Sequence, residues 1–254
     1  MMAKTIDQFE QQILSGEDYL TGMAEGRPLQ SVAERRCAWL NERYGKFTAS
    51  GFYRVMGYYK KSLDTLPSGA ITYAMEKAAE RLSERDDSDD GYTSREMQWG
   101  IDHEVEAINL FTERTGFGVD FVGDKQRYID FNDNIGGTPD GIIQNHELFG
   151  GVEMKCPASS THIKYIMSIC DSQSLKEAES KYYWQVQGQM MITNSKRWWF
   201  CSYDPRFNRE DHRLLTVEIT RNESDIEALE TRLEMVVSLR NEIINTMRVQ
   251  AGRK

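Results

Sequence analysis

Apolar residues recur at three- and four-residue spacing over several long stretches of this chain, and alternate or run together over a few short ones. Val32, Cys37, Trp39 and Leu40 predict an amphipathic helix over 31–43. Thr48 or Ser50 is placed to cap a second helix carrying Phe52, Val55 and Met56. Ser68 opens a third, running to about Glu84 on Ile71, Met75, Ala78 and Leu82. A long helix from Ser94 to Arg114, stopped by Gly116, shows Ile101, Val105 and Ile108 as its buried stripe. Strand-like runs follow near 119–123, 126–131, 140–143 and 149–155, the last two joined by a turn at Asn145-His146. Helices are predicted from Ser159 to Met167 and from Lys181 to Thr193, then strands over Lys196–Ser202 and Leu214–Ile219. A closing helix, Glu223 to Arg248, has Ile226, Leu229, Leu233, Val236, Ile243 and Met247 on one face. The order of helices, a strand meander, and then mixed elements predicts an α/β fold with a mixed central sheet flanked by helices.

Composition narrows the class without naming a chemistry. With 254 residues, 39% hydrophobic and 28% charged, the chain has room for one large domain or two small ones. It carries no apolar run long enough to span a bilayer. The start MMAKTIDQFEQQ has no apolar signal core, so a cytoplasmic protein is expected. Cysteines 37, 156, 170 and 201 show no C-x-x-C spacing, which argues against zinc or iron–sulfur sites and fits reduced thiols. The net charge of −9 argues at first against a nucleic-acid partner. DNA senses the local field, however, and acidic runs such as Asp86-Asp87-Ser88-Asp89-Asp90 leave room for a basic channel within an acidic shell.

The candidate chemistry lies between Gly137 and Pro157, in GTPDG and GVEMKCP. Glu153 and Lys155, two apart on a strand, face the same way, and Val152 and Met154 face a core. A hairpin would bring Asp140 beside Glu153. Two hard oxygen donors meeting there make a site for Mg²⁺ or Mn²⁺. A lysine beside them can position a water or offset charge developing on a phosphate. A Glu-x-Lys pair alone is usually a solvated ion pair of little worth. Pro139 before Asp140, the glycines at 136, 137, 141, 150 and 151, and Cys156-Pro157 ending the strand make this one more tightly shaped.

Pro139-Asp140 … Glu153-x-Lys155 resembles the PD-(D/E)XK nuclease signature. Around it, Trp39–Ser50 (WLNERYGKFTAS), Trp99–Glu104 (WGIDHE), Thr138–Pro157 and Tyr182–Gln187 (YYWQVQ), trailed by Tyr203-Asp204-Pro205-Arg206, resemble the phage lambda exonuclease-like viral recombinase family. The resemblance implies a restriction-endonuclease-like core, with residues 1–30 as an N-terminal extension and 31–254 as one nuclease domain. It implies processive 5′-to-3′ digestion of one strand of linear double-stranded DNA. Asp140, Glu153 and the Met154 carbonyl would hold two Mg²⁺ or Mn²⁺ ions, with Lys155 positioning water, Glu104 and Gln185 completing the site, and Tyr182 near the substrate. It also implies a homotrimer ring around DNA and a single-strand annealing protein as partner. A 5′-phosphate pocket is expected at Arg43, Ser50 and Thr138. Arg43 offers a planar fork for phosphate oxygens. The family has an arginine where this chain has Thr161, with Lys164 one turn on as a substitute. Two other readings stay open: a structure- or site-specific endonuclease on the same core, which would cut closed circles, and a non-catalytic DNA-binding scaffold. The joint presence of Asp140, Glu153 and Lys155 argues against the latter.

Overall fold

The computed structural model describes residues 32–57, 62–85, 94–144 and 148–251. The expected helix within residues 1–30, the Asp86–Asp90 run and the Asn145-His146 turn lie outside the described residues. In chain order the elements are α1 (Val32–Arg43), β1 (Phe47–Thr48), a 3₁₀ turn (Ala49–Gly51), α2 (Phe52–Met56), α3 (Ser68–Leu82) and α4 (Arg95–Thr115). Then come β2 (Ile129–Asn132), β3 (Ile135–Gly137), β4 (Gly141–Gln144), β5 (Phe149–Lys155), α5 (Ser159–Ser168) and α6 (Ser172–Ala178). The chain closes with α7 (Ser180–Thr193), β6 (Arg197–Tyr203), β7 (Leu214–Thr220) and α8 (Glu223–Ala251).

The expected α/β architecture is present, as two mixed sheets. One has the order β1-β3-β2 and the other β4-β5-β6-β7. The 140–155 hairpin forms, with Gly141 opposite Val152 and Gln144 opposite Phe149. β5 then runs parallel to β6, and β7 returns antiparallel to β6. Alternation along β6 sorts its side chains to two faces. Trp198 and Phe200 join a core with α2, α3, α7 and α8. Trp199, Cys201 and Tyr203 join a second core with Val152 and Met154 under α4.

Several expectations of packing need correction. On α4 the buried stripe is Ala107, Ile108 and Phe111, whereas Ile101 and Val105 are exposed. Ala107, Ile108 and Phe111 pack into the core with Val152, Met154 and Trp199, and that contact sets which face of the helix is buried. On α3 the buried residues are Ala70, Tyr73, Ala74 and Ala78, and Ile71, Met75 and Leu82 are exposed. Small side chains let α3 lie close against α8, so the large apolar residues are not its core face. Ser68 is the first helical residue after an N-cap at Pro67, and neither Thr48 nor Ser50 caps α2. On α8, Met247 is exposed. The same helix buries two arginines. Arg240 donates to the Gly45 carbonyl (3.0 Å) and Asn134 Oδ1 (2.7 Å), and Arg232 to the Val55 carbonyl (3.0 Å). Burial and the nearby Arg81 pull the Arg240 guanidinium down to about 10. Strand-like 119–123 contributes only a bridge from Asp120 to Ile142.

Ser94 caps α4 by accepting from the Met97 N–H, and Gly116 ends it with φ of 74°. Gly137 has a different role. A Cβ there would lie 2.7 Å from Gln189 Oε1, 3.0 Å from Ile192 Cδ1 and 3.1 Å from Ala49 Cβ. Its bare backbone lets α7 and the 3₁₀ turn close on the chain just ahead of Thr138-Pro139-Asp140. Gly137→Ala is expected to cost about 1–3 kcal/mol by overpacking, read as a lower urea midpoint at unchanged slope. A midpoint equal to wild type would show that this approach is not tight.

Candidate active site

The hairpin delivers Asp140 and Glu153 to one place. The Asp140 carboxylate accepts from the Met154 N–H at 2.8 Å. Glu153 and Lys155 share one face of β5, as alternation requires. The Lys155 ammonium touches Glu153 Oε1 and lies 3.7 Å from Asp140 Oδ2. Glu153 is fully buried, and its Oε2 has no hydrogen-bond donor.

A third acid comes from α4. Glu104 stands one turn before Ile108 on the face that docks on the sheet, so the same packing that buries Ile108 carries Glu104 to the end of β5. Gln126 donates to its Oε1 at 2.7 Å. Burial, then the charges of Asp140 and Glu153, push Glu104 up to about 8, against the pull of Lys155. Burial and then Asp140 likewise raise Glu153, with Lys155 opposing. For Lys155, burial disfavours the charge, but Glu153 and Asp140 outweigh it and hold the ammonium above its ordinary range.

Three acids therefore face one lysine. This anionic, all-oxygen set fits a hard divalent cation, and the donorless Glu153 Oε2 is an atom such an ion would satisfy. Among the described residues no group of three or more Asp, Glu, His or Cys side chains is already drawn together as metal ligands.

The remaining sequence candidates fall around this cluster. The Tyr182 ring stacks on Phe200 (5.7 Å) and carries the Lys155 ammonium at 5.4 Å from its centroid. Gln185 is buried on α7 one turn further on and makes no hydrogen bond to the three acids. On the other side, Trp39 donates to Thr138 Oγ1 at 3.1 Å, and the Arg43 guanidinium lies 4.1 Å from the Trp39 ring centroid. Arg43, Trp39 and Thr138 thus form one wall leading to Asp140. Burial pulls Arg43 down from its usual value, and it pairs with no carboxylate among the described residues. Ser50 is exposed, its hydroxyl 3.3 Å from Thr48 Oγ1. Lys164 is paired with Glu179 at 2.9 Å. Sequence reasoning missed Trp39 as the link between Arg43 and Thr138, because its partner is 99 residues away. It also missed Gln126, which falls in the expected strand 126–131 but lies in the loop before β2 begins at Ile129.

A model of the YqaJ-like viral recombinase domain matches residues 38–196. The chain belongs to that family. Its fold is that of the alkaline exonuclease LHK-Exo from Laribacter hongkongensis, at a TM-score of 0.68 and 27% identity over 85% of this chain and 98% of that one. The LHK-Exo complex with dAMP matches at 0.70 and 26% identity over the same shares. A phage-related exonuclease from Haemophilus somnus 129PT shares the fold at 0.62 and 17% identity, over 80% of this chain and 96% of that one. No functionally curated protein matches the chain. The family match covers the Asp140–Lys155 hairpin, Glu104 and α7, and agrees with the resemblance to lambda exonuclease.

The raised carboxyls set the sign of a pH effect. A carboxyl whose folded pKa exceeds its unfolded value holds its proton more tightly in the native state, so stability falls as pH rises through that window. Without divalent metal, Tm is expected to drop by several degrees between about pH 5 and pH 8, at about 2–4 °C per kcal/mol for a chain this size. Glu104→Gln should flatten that drop. A Tm that rises over the same range would contradict the arrangement of charges.

Proposed function

We propose that this chain is a divalent-metal-dependent exonuclease that degrades the 5′-ended strand of linear double-stranded DNA. The observation that carries the reading is the convergence of Asp140, Glu153 and Glu104 on Lys155 at the end of β5. LHK-Exo binds dAMP, a mononucleotide of the kind an exonuclease releases, which supports the same reading. Asp140, Glu153 and the Met154 carbonyl would hold Mg²⁺ or Mn²⁺, two ions in all, with Glu104 and Gln185 at the edge. Bound there, the metal supplies the positive charge that activates water and steadies the departing oxygen. Lys155 holds the attacking water and offers its charge to the phosphate as it becomes more negative. Tyr182 shapes the approach of the scissile phosphate.

Polarity would follow from the wall at Arg43. A half-buried guanidinium without a carboxylate partner among the described residues is suited to a terminal phosphate dianion, which it grips through paired N–H donors. Thr138 and Ser50 add hydroxyls. Lys164 would have to leave Glu179 to join them. Residues 31–254 would act as one nuclease domain in the cytoplasm. A homotrimer ring, and a single-strand annealing protein working on the exposed strand, are drawn from the resemblance to the lambda exonuclease-like family.

Linear and covalently closed duplexes, each incubated with Mg²⁺ and with EDTA, test the activity. Linear DNA alone should be consumed, and only with Mg²⁺; digestion of closed circles would favour an endonuclease. Lys155→Ala should lower the rate by roughly 10²–10³, and near-normal turnover would remove its assigned role. Arg43→Ala should leave slow cleavage but erode the preference for 5′-phosphorylated over 5′-hydroxyl ends. An unchanged ratio of rates on the two ends would dismiss the pocket.

A further inference from the structure

The three acids and Lys155 leave a second cation in front of the site without a task. Lys181 is the second residue of α7, one position before Tyr182. Its ammonium lies 5.6 Å from the centroid of the Tyr53 ring and 5.5 Å from that of Tyr182. Tyr53 comes from α2 and Tyr182 from α7, so the lysine sits between two elements that pack together. The acids around it are engaged elsewhere. Glu179 takes Lys164 at 2.9 Å, and Glu76 takes Arg54, the neighbour of Tyr53, at 2.6 Å. Lys181 itself has no ion pair among the described residues. Its charge reaches Glu153, opposing the effect of burial on that carboxyl.

The spacing to Lys155 gives this cation its meaning. Both ammoniums lie near the Tyr182 ring, so they stand no more than about 11 Å apart, the 5.4 Å and 5.5 Å ring distances laid end to end. Phosphates on one strand of duplex DNA recur about every 3.4 Å along the axis. Two cations within this limit can hold phosphates one to about three linkages apart on a single strand. Aromatic rings under the ammonium limit its wandering and leave its N–H donors for an anion.

We infer that Lys181, cradled between Tyr53 and Tyr182, is a subsite for a phosphodiester flanking the scissile one on the strand being degraded. The inference rests on the exonuclease reading and extends it. A grip of this kind carries no base specificity. It retains the strand after each nucleotide departs, when the scissile position is momentarily vacant.

Duplexes bearing a single neutral methylphosphonate at each of the first four linkages from the 5′ end test the assignment, with affinity measured across a range of salt. Wild type should lose affinity several-fold at one flanking linkage. Lys181→Gln should bind ordinary DNA as weakly as wild type binds that duplex, show no further loss there, and have a salt slope smaller by about one. Lys181→Arg should behave as wild type. Losses that multiply at every linkage, with an unchanged salt slope, would overturn the subsite. Wild type that neither binds nor digests linear DNA would overturn the exonuclease reading, and the subsite with it.

Discussion

A carboxylate buried beside a single lysine governs this structure. Glu153 is fully removed from water in the middle of the architecture, at the end of a strand flanked on both sides. Ionised carboxylates in such places are costly unless paired and hydrogen-bonded. Here the pairing is incomplete. Lys155 offers one positive charge, and Asp140 and Glu104 add negative charge close by. The protein alone leaves this cluster short of positive charge. A divalent cation would balance it, and the phosphate chemistry proposed here needs such a cation at that point.

The fold's contribution is to bring three remote acids together with little freedom. The hairpin register sets Gly141 opposite Val152, which puts Asp140 where the Met154 N–H can hold it. The pleat sends Glu153 and Lys155 one way while Val152 and Met154 enter the core beneath α4. That core fixes α4 through Ala107, Ile108 and Phe111, and so fixes Glu104 one turn earlier. The tight approach at Gly137 sets α7, with Tyr182 and Lys181, against the same chain segment. Packing and chemistry are therefore coupled through β5. One face of that strand holds the sheet to α4, and the other holds the charges.

Much of this was legible in the sequence, for identifiable reasons. The expected strand 149–155 coincides with β5, because Gly150 and Gly151 precede an alternating run that Pro157 terminates. Asp140 and Glu153 could be paired because a hairpin is the natural closure of two strands so near in sequence. On α3 and α4 several large apolar residues mark the wrong face. Ala70, Ala74 and Ala78 face the core instead, and Ile101 and Val105 are exposed. β1 and β3, with two and three residues, are too short to show alternation. α6 offered only the capping box of Asp171 and Ser174. The Trp39–Thr138 hydrogen bond and the Tyr53–Lys181–Tyr182 cradle join segments with no mutual trace in sequence. Glu104 and Gln185 were singled out by family resemblance, because an acid on a helix face has no periodic signature of function.

The central claim is that the shortage of positive charge around Glu153 is a metal site. Anomalous diffraction from crystals soaked in Mn²⁺ measures it directly. The account predicts anomalous density between the Asp140 and Glu153 carboxylates, within reach of Glu104, and its loss in Glu153→Gln. Manganese bound elsewhere, with Lys155 still closed onto an unliganded Glu153, would contradict it.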